Sequence, residues 1–586
     1  MALNKKYLKA DLCVVGGGLA GISTAITAAR LGVKVVLVQE RPVFGGNASG
    51  EIRMWVCGAG NLDLAYRETG LSEEINLENF YYNPTKNYNL WNAVLYNKVH
   101  SESNITSLMN CTCFDAKSAD GVIRSVTAYQ MTTQTLYEIE ADYFADCSGD
   151  SILAPLTGAD FAYGREAQNE YGEPMQTHTE RDGKTMGNSC LLQARKVNKK
   201  IPFRAPEWAE KVSVEKLKSK DVNLYKPGEN FWYIELGGEL DVVADAESIN
   251  KRLLALCLGV WDTIKNSGEF DADYFDLEFL GFLGAKRESR RMLGEYVLTA
   301  NDIMDARAFL DTVAYGGWPL DDHNPKGFDG EQSNYMIQLH KPYTIPYRCL
   351  YSRNIRNLFF AGRNISATHM AMSSARVMGT CSVLGQAVGT AVWIAKKYAI
   401  SPREVGERMD ELQQTLLKAD CYLPSVVRRV DALCKGAEII GGDEVLRNGQ
   451  DRAIDGESNL AFIKNGQSVT YKLEKSALVK EIKIVFDSDL KRESYDVCYM
   501  EKRASMRSNI LDESPIMDMP KTLAKVFKVI ATLKNGEQKI VIDERENKKR
   551  NILIPVAEDV QAISLTVLEN WGGMDETGLF TFEFYA

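Results

Sequence analysis

The chain holds only five histidines, and its twelve cysteines include no C-x-x-C pair. The tightest spacing, Cys111-Thr112-Cys113, is poor zinc geometry with no histidine nearby, so neither a metal site nor a dithiol relay is expected. Scattered cysteines of this kind read as buried thiols and fit a reducing compartment. Clustered positive charge is scarce: the formal net charge is −10, and the basic stretches Lys548 to Arg550 and Arg287 to Arg291 are short, which disfavours a nucleic-acid partner. No unbroken apolar run reaches the roughly 18 residues of a membrane span, so no membrane partner is expected. The opening Met1 to Ala10 carries Lys5, Lys6 and Lys9, but the apolar run after it breaks at Gly16-Gly17-Gly18 without a cleavage site. A cytoplasmic chain without a signal peptide is therefore expected. Internal repeats, low-complexity tracts and a second G-x-G-x-x-G in a β-α-β setting are also missing.

What is present is ordinary globular material: 586 residues, 45% hydrophobic and 25% charged, long enough for about three or four units at roughly 100 to 200 residues each. Asp11 to Val15 is an apolar run ending in glycines, Ala20 to Leu31 has helical composition, and Lys34 to Val38 is a second apolar run. Within this β-α-β unit, Gly16-Gly17-Gly18-Leu19-Ala20-Gly21 fits G-x-G-x-x-G, and Glu40 follows about 20 residues on. The first glycine permits the turn and the second lets a pyrophosphate approach. The third allows close packing, and the helix N-terminus supplies N–H groups and partial positive charge. Glu40 is placed to accept hydrogen bonds from ribose hydroxyls. This unit alone does not separate FAD from NAD.

Further along, Ile123 to Met131 and Asn230 to Leu236 read as strands, Ala246 to Lys265 as a helix, Asn357 to Gly362 as a buried strand and Ser373 to Tyr398 as one long helix. Pro402 to Leu417 reads as an amphipathic helix. After about Ala437 the runs Ser468–Leu473, Glu481–Phe486, Lys539–Ile542 and Ala562–Leu568 indicate a β-sandwich. The expected fold is α/β. A Rossmann-like dinucleotide-binding domain spans 1–160 and 345–400, split by an inserted α+β substrate region at 161–344. A helical connector at 401–436 and the β-sandwich at 437–586 follow.

Beyond Glu40 the chain reads Arg41-Pro42-Val43-Phe44-Gly45-Gly46-Asn47-Ala48-Ser49, and there it resembles the glutathione-reductase-type FAD superfamily. Phe144-Ala145-Asp146-Cys147-Ser148-Gly149-Asp150 resembles that superfamily's D-x-[ST]-G-D element, and Asn357 to Arg363 its flavin-closing segment. Over about residues 8 to 400 the chain is most similar to the FAD-dependent oxidoreductases found in bacterial carbohydrate-utilisation settings. It carries their features at Phe231–Gly238, Arg287–Tyr296, Ile345–Arg348 and Ala361–His369. The segment from Leu446 through Ala453-Ile454-Asp455-Gly456 to Phe486 resembles a galactose-binding-like, discoidin-type module, which either holds sugars at its tip loops or packs as an appendage.

The resemblance implies FAD, with contacts from Gly16, Gly18, Leu19, Ala20, Gly21 and Glu40, from Arg41, Gly45, Gly46, Asn47 and Ser49, and from Gly149, Asp150, Gly362 and Arg363. The helix start at Met378-Gly379 would add backbone N–H groups. His369 is the leading base or substrate ligand, because a histidine in a comparable loop meets substrate in fumarate-reductase-like relatives; the plain alternative is a histidine satisfied by backbone. On a helix, Arg287 and Arg291 would share a face and Glu288 would lie near Arg291, forming either a substrate clamp or an inter-domain ion-pair network together with Arg290. Trp232 and Tyr233, with Glu235, would face a sugar or sit in a core. Tyr343 and Arg348 would line the pocket or close a seam, and Cys57 and His323 are lesser candidates.

The expected reaction is oxidation of an alcohol carbon on a sugar-like or other small polar substrate, with hydride passing to flavin N5 and on to an acceptor that the residues do not name. The alternatives are flavin-dependent reduction of an activated double bond, and a glycan-binding protein with structural FAD. Expected partners are a small-molecule substrate and further copies of the chain.

Overall fold

The computed structural model describes residues 3–174, 178–220, 222–226, 228–454 and 456–586, so Met1 of the expected start and Asp455 of the discoidin-like loop lie outside the described residues. Cys13–Val15 and Val35–Val38 are apolar without alternation and buried on both faces, the pattern of interior parallel strands. Ile105–Leu108, Val35–Val38, Asn4–Val15 and Thr135–Asp146 lie side by side in that order, all parallel. On its other edge the strand Thr135–Asp146 serves two neighbours. Its first half pairs antiparallel with Val122–Gln130, which in turn pairs with Cys111–Ala119, and its last residues take up Leu358–Phe360 in parallel.

Two helices cover one face, Leu19–Arg30 and Met378–Tyr398. They pack at backbone contact: a Cβ added to Gly385 would lie 2.1 Å from the Ala20 carbonyl, and one on Gly389 2.6 Å from that of Thr24. The second helix is shorter than expected. The run Ser373 to Tyr398 is broken at Arg376-Val377, where Val377 is extended (φ −67°, ψ 147°) and separates His369–Ala375 from Met378–Tyr398. The break turns a helix start toward the sheet's C-terminal edge. Likewise Pro402 to Leu417 divides into a 3-10 segment, Glu404–Arg408, and the α-helix Met409–Lys418.

A second core gathers Leu192, Phe231, Leu253, Trp261 and Phe275 beneath the helix Ala246–Asn266. Residues such as Met292, Leu298, Val313 and Tyr343 pack into the first core instead, so the 161–344 segment serves both. The expected strand Asn230 to Leu236 is reduced to Glu235–Leu236. Phe231 takes a left-handed φ of 56°, the Glu229 carboxylate accepts from the Phe231 N–H at 2.9 Å, and the Asn230 side chain accepts from the Trp232 N–H at 3.2 Å. These local acceptors make a turn where the alternation suggested a strand. Arg287 to Arg290 is not helical either. It runs as irregular chain between the two-residue strands Ala285–Lys286 and Arg291–Met292, so Arg287 and Arg291 do not share a face.

The C-terminal strands form one seven-stranded antiparallel sheet around a third core. Ser468–Leu473 and Glu481–Phe486 are parts of a single strand, Ser468–Phe486, with register breaks against Asn551–Asn570. Between Phe486 and Ala524 the chain leaves the sheet for a long excursion. Replacing Gly385 with Ala should force two backbones apart and destabilise the protein by roughly 1–3 kcal/mol, seen as a lower thermal midpoint. An unchanged midpoint would contradict this packing.

Candidate active site

The glycine turn follows from close approach. Gly16 has φ 105°, and a Cβ on Gly21 would sit 1.8 Å from the Gly16 carbonyl oxygen, so the third glycine of the motif is needed for packing. Gly18 differs: a Cβ there would meet only Gly46 Cα at 3.9 Å, leaving bare backbone toward a cavity of 650 Å³. Gln39, which the sequence did not flag, braces the turn by accepting from the Gly17 N–H at 2.8 Å and donating to the Val43 carbonyl at 2.7 Å. Gly45 and Gly46, both left-handed at φ 107° and 59°, bring the next arm against Gly18. Asp150 closes the wall between Lys286 at 2.7 Å and Arg363 at 2.6 Å. Burial opposes its charge, but these two cations hold its carboxyl down at about 2.

The walls include Gly16, Gly18, Leu19, Ala20, Glu40 and Arg41, then Gly45, Gly46, Asn47, Gly149, Asp150, Gly362, Arg363 and Met378. Gly21, Ser49 and Gly379 are not wall residues. The Gly379 N–H donates to the Cys57 carbonyl at 2.7 Å and is therefore spent. Arg41 Nη1, Arg363 Nε and Arg376 Nε are buried donors without a hydrogen-bond partner among the described residues, and all three side chains belong to the wall. Bare glycine backbone, a helix start and unspent guanidinium donors suit a long ligand carrying phosphates.

A second group on the same cavity is linked contact by contact. Glu235 Oε2 lies 3.2 Å from the Arg287 guanidinium and meets His323 Nδ1 at 2.6 Å, while Glu235 Oε1 accepts from the Gly187 N–H at 2.7 Å. His323 Nε2 faces Asp321 at a looser 3.4 Å, and Asp321 also lies 3.7 Å from Arg376. The Trp232 ring meets the His323 ring edge-on at 5.3 Å. Burial alone would lower the His323 pKa, yet Glu235 and Asp321 raise it against the opposition of Arg287. Burial likewise opposes the charge of Glu235, and Arg287 and His323 overcome it and hold that carboxyl below the usual range. His323, ranked as a lesser candidate from sequence, is thus at the cavity, and Arg376 and Asp321 were missed. The only available signals were the D-D-H triplet at 321–323 and the arginine at the helix break.

His369 is elsewhere. It does not line the cavity; it is buried with Nδ1 2.9 Å from Glu288 and Nε2 3.0 Å from Asp322. Glu288 also pairs with Arg291, which donates to Glu166 at 2.7 Å and to the Ala367 carbonyl at 3.0 Å. Glu288, Arg291 and His369 therefore form an internal ion network, and only Arg287 of that cluster reaches the wall. Arg290 donates to the Asp150 carbonyl at 3.2 Å. Tyr233 packs in the second core and Tyr343 in the first. Arg348 chelates Asp311 through Nε at 2.9 Å and Nη2 at 3.1 Å on the surface, so neither Tyr343 nor Arg348 lines the pocket. Burial would lower His369, but Glu288 and Asp322 push it up to about 10. A pKa raised in the folded state gives stability that is complete below the unfolded value near 6.5 and lost as pH climbs through about 10. The wild-type melting midpoint should therefore fall from about pH 7 to about pH 10. His369→Gln should start lower by roughly 3–5 kcal/mol and show a flatter slope; identical slopes would refute the charged assignment.

A model of the FAD dependent oxidoreductase family matches residues 11–416. Over 65 residues the chain is 38% identical to the fumarate reductase (cytochrome) of Shewanella frigidimarina, a stretch covering 11% of this chain and 10% of that protein. The chain thus spans about a tenth of that relative's length. Among solved structures, E. coli quinol fumarate reductase FrdA is 13% identical with a TM-score of 0.29, covering 70% of this chain and 75% of its own. The family 32 carbohydrate-binding module of Streptococcus pneumoniae EndoD is 16% identical with a TM-score of 0.19, covering 26% and 97%. Likenesses this slight say nothing of what this chain binds. The family match, spanning well over half of the residues, together with a cavity walled by the glycine turn and its arm, makes this protein a member of the FAD-dependent oxidoreductase family.

Proposed function

We propose that the enzyme exchanges two electrons with a small anionic substrate held beside Arg287, His323 and Arg376, and that reduction of an unsaturated acid is the favoured direction. FAD, when bound, supplies the redox chemistry; the Gly16–Ala20 turn, the Gly45–Asn47 arm and Arg363 are the residues that would hold it.

The observation that carries this reading is the charge at the wall. Three cations, Arg287, His323 and Arg376, stand against two carboxylates, Glu235 and Asp321, leaving one positive charge for a substrate to neutralise. Glu235 fixes the His323 ring through Nδ1 and stabilises its protonated form, which favours the ring as a proton donor over a proton acceptor. A substrate that gains a proton and bears a carboxylate matches that state. Alcohol oxidation, the expectation from sequence, needs the same ring deprotonated and takes His323, not His369, as its base. Arg376, with Nε unspent, is suited to the carboxylate, and Trp232 and Trp318 line the same cavity.

The test is anaerobic. Reduced enzyme mixed with unsaturated mono- and dicarboxylates should regain its visible flavin band, at a rate that falls as pH rises through the elevated His323 pKa. His323→Gln should keep the flavin and slow reoxidation by about 10²- to 10⁴-fold. Bleaching of oxidised enzyme by neutral sugars or alcohols, with no response to any acid, would overturn the reading. Separately, Gly18→Val should fold normally, since its own φ of −68° suits any residue, yet purify without the yellow chromophore.

A further inference from the structure

We propose that the excursion of the C-terminal sheet between Phe486 and Ala524 completes the substrate end of the cavity, and that Arg503 on it is a specificity-determining contact for the substrate's anionic group. This deepens the reading of an anionic substrate and rests on it.

Arg503 belongs to the cavity wall although it comes from the C-terminal part of the chain. Its guanidinium lies over the Trp318 ring at 5.6 Å, donates through Nη1 to the Asn61 side chain, and contacts Met500 Sδ at 3.5 Å. Trp318 Nε1 donates to Asp321 at 3.3 Å, which ties this corner to the His323 and Arg376 group. Those cations share Glu235 and Asp321. Among the described residues no carboxylate pairs with Arg503, so its charge adds to the surplus left by Arg287, His323 and Arg376.

The way the excursion is held argues for positioning. Arg67 donates to the Lys502 carbonyl at 2.6 Å and the Leu490 carbonyl at 3.0 Å, and Lys86 donates to the Glu501 and Ala504 carbonyls at 2.8 and 2.7 Å. Two buried cations from the N-terminal part thus grip the backbone on both sides of Arg503. Arg492 is buried against Glu73 at 2.8 Å, and Ser508 accepts from Trp55 Nε1 at 2.6 Å. Burying Arg67 and Lys86 against these carbonyls, with the Glu501 carboxylate 3.7 Å from the Lys86 ammonium, costs desolvation that a loosely tethered appendage would not require. The outcome is a guanidinium fixed at the cavity wall, where its remaining N–H donors can meet an oxyanion.

The experiment uses the full-length, FAD-loaded protein and follows perturbation of the visible flavin band on titration with malonate and, in a parallel arm, inorganic phosphate. Wild type should bind one of them saturably; the arm that responds distinguishes carboxylate from phosphate. Arg503→Ala should weaken it about 10- to 100-fold, with the melting midpoint and flavin content unchanged. Arg503→Lys, which keeps charge but loses the fork, should fall between. Wild-type affinity in Arg503→Ala, alongside lost affinity in Arg376→Ala, would overturn the role of Arg503 and leave the anionic site standing. No response of wild type to either anion would overturn both.

Discussion

The charged end of the cavity, proposed to hold the substrate, depends on one shared carboxylate. Glu235 is fully buried, accepts from a backbone N–H, and stands between a guanidinium and an imidazole that come from distant points in the chain. Removing it would leave buried Arg287 without its ion-pair partner and His323 with only the looser contact to Asp321, a costly defect in a protein interior. The same carboxylate orients the ring and sets its protonation. Stability and the proposed chemistry therefore meet in one group, and the turn at Glu229 to Trp232 that brings Trp232 to the cavity wall and Glu235 behind it serves both.

Two ion networks lie near each other and do different work. Asp321 and Asp322 are adjacent on the strand Leu320–His323, and successive residues of a strand point to opposite sides. Asp321 turns to His323 and Arg376 at the cavity, and Asp322 to His369 in the interior. The interior histidine, sandwiched between Glu288 and Asp322, fastens the segment after the flavin-closing loop to the chain around Arg291. A histidine with both nitrogens tightly bonded is a fastener, and the proposed reagent, His323, keeps one nitrogen in a looser contact on the cavity wall.

The C-terminal sheet is not merely strung on behind. Leu77 and Phe80 of the N-terminal part enter its core, Met506 of its excursion enters the first core, and Arg452 donates to the Arg67 carbonyl at 3.1 Å. A segment that shares apolar cores in both directions cannot shift without exposing them, which makes it a fixed wall rather than a tethered module.

The β-α-β start, the glycine turn with its acid, the small-residue helix and the strand-rich C-terminus were legible without coordinates, because local periodicity and backbone sterics decide each of them within a few residues. Gly16 and Gly21 have no freedom to be otherwise where the strand and the helix converge, while Gly18 leaves bare backbone toward the cavity. The helix imagined across Arg287 to Arg291 and the strand across Asn230 to Leu236 failed for the opposite reason: nearby carboxylate and amide acceptors, and pairing to distant strands, overrode local preference. Which histidine touches the cavity, that Arg376 sits in a helix break, and that Arg503 arrives from the far end of the chain were decided only by tertiary structure. The energy of a buried charge depends on what surrounds it in space, and no spacing along the chain encodes that.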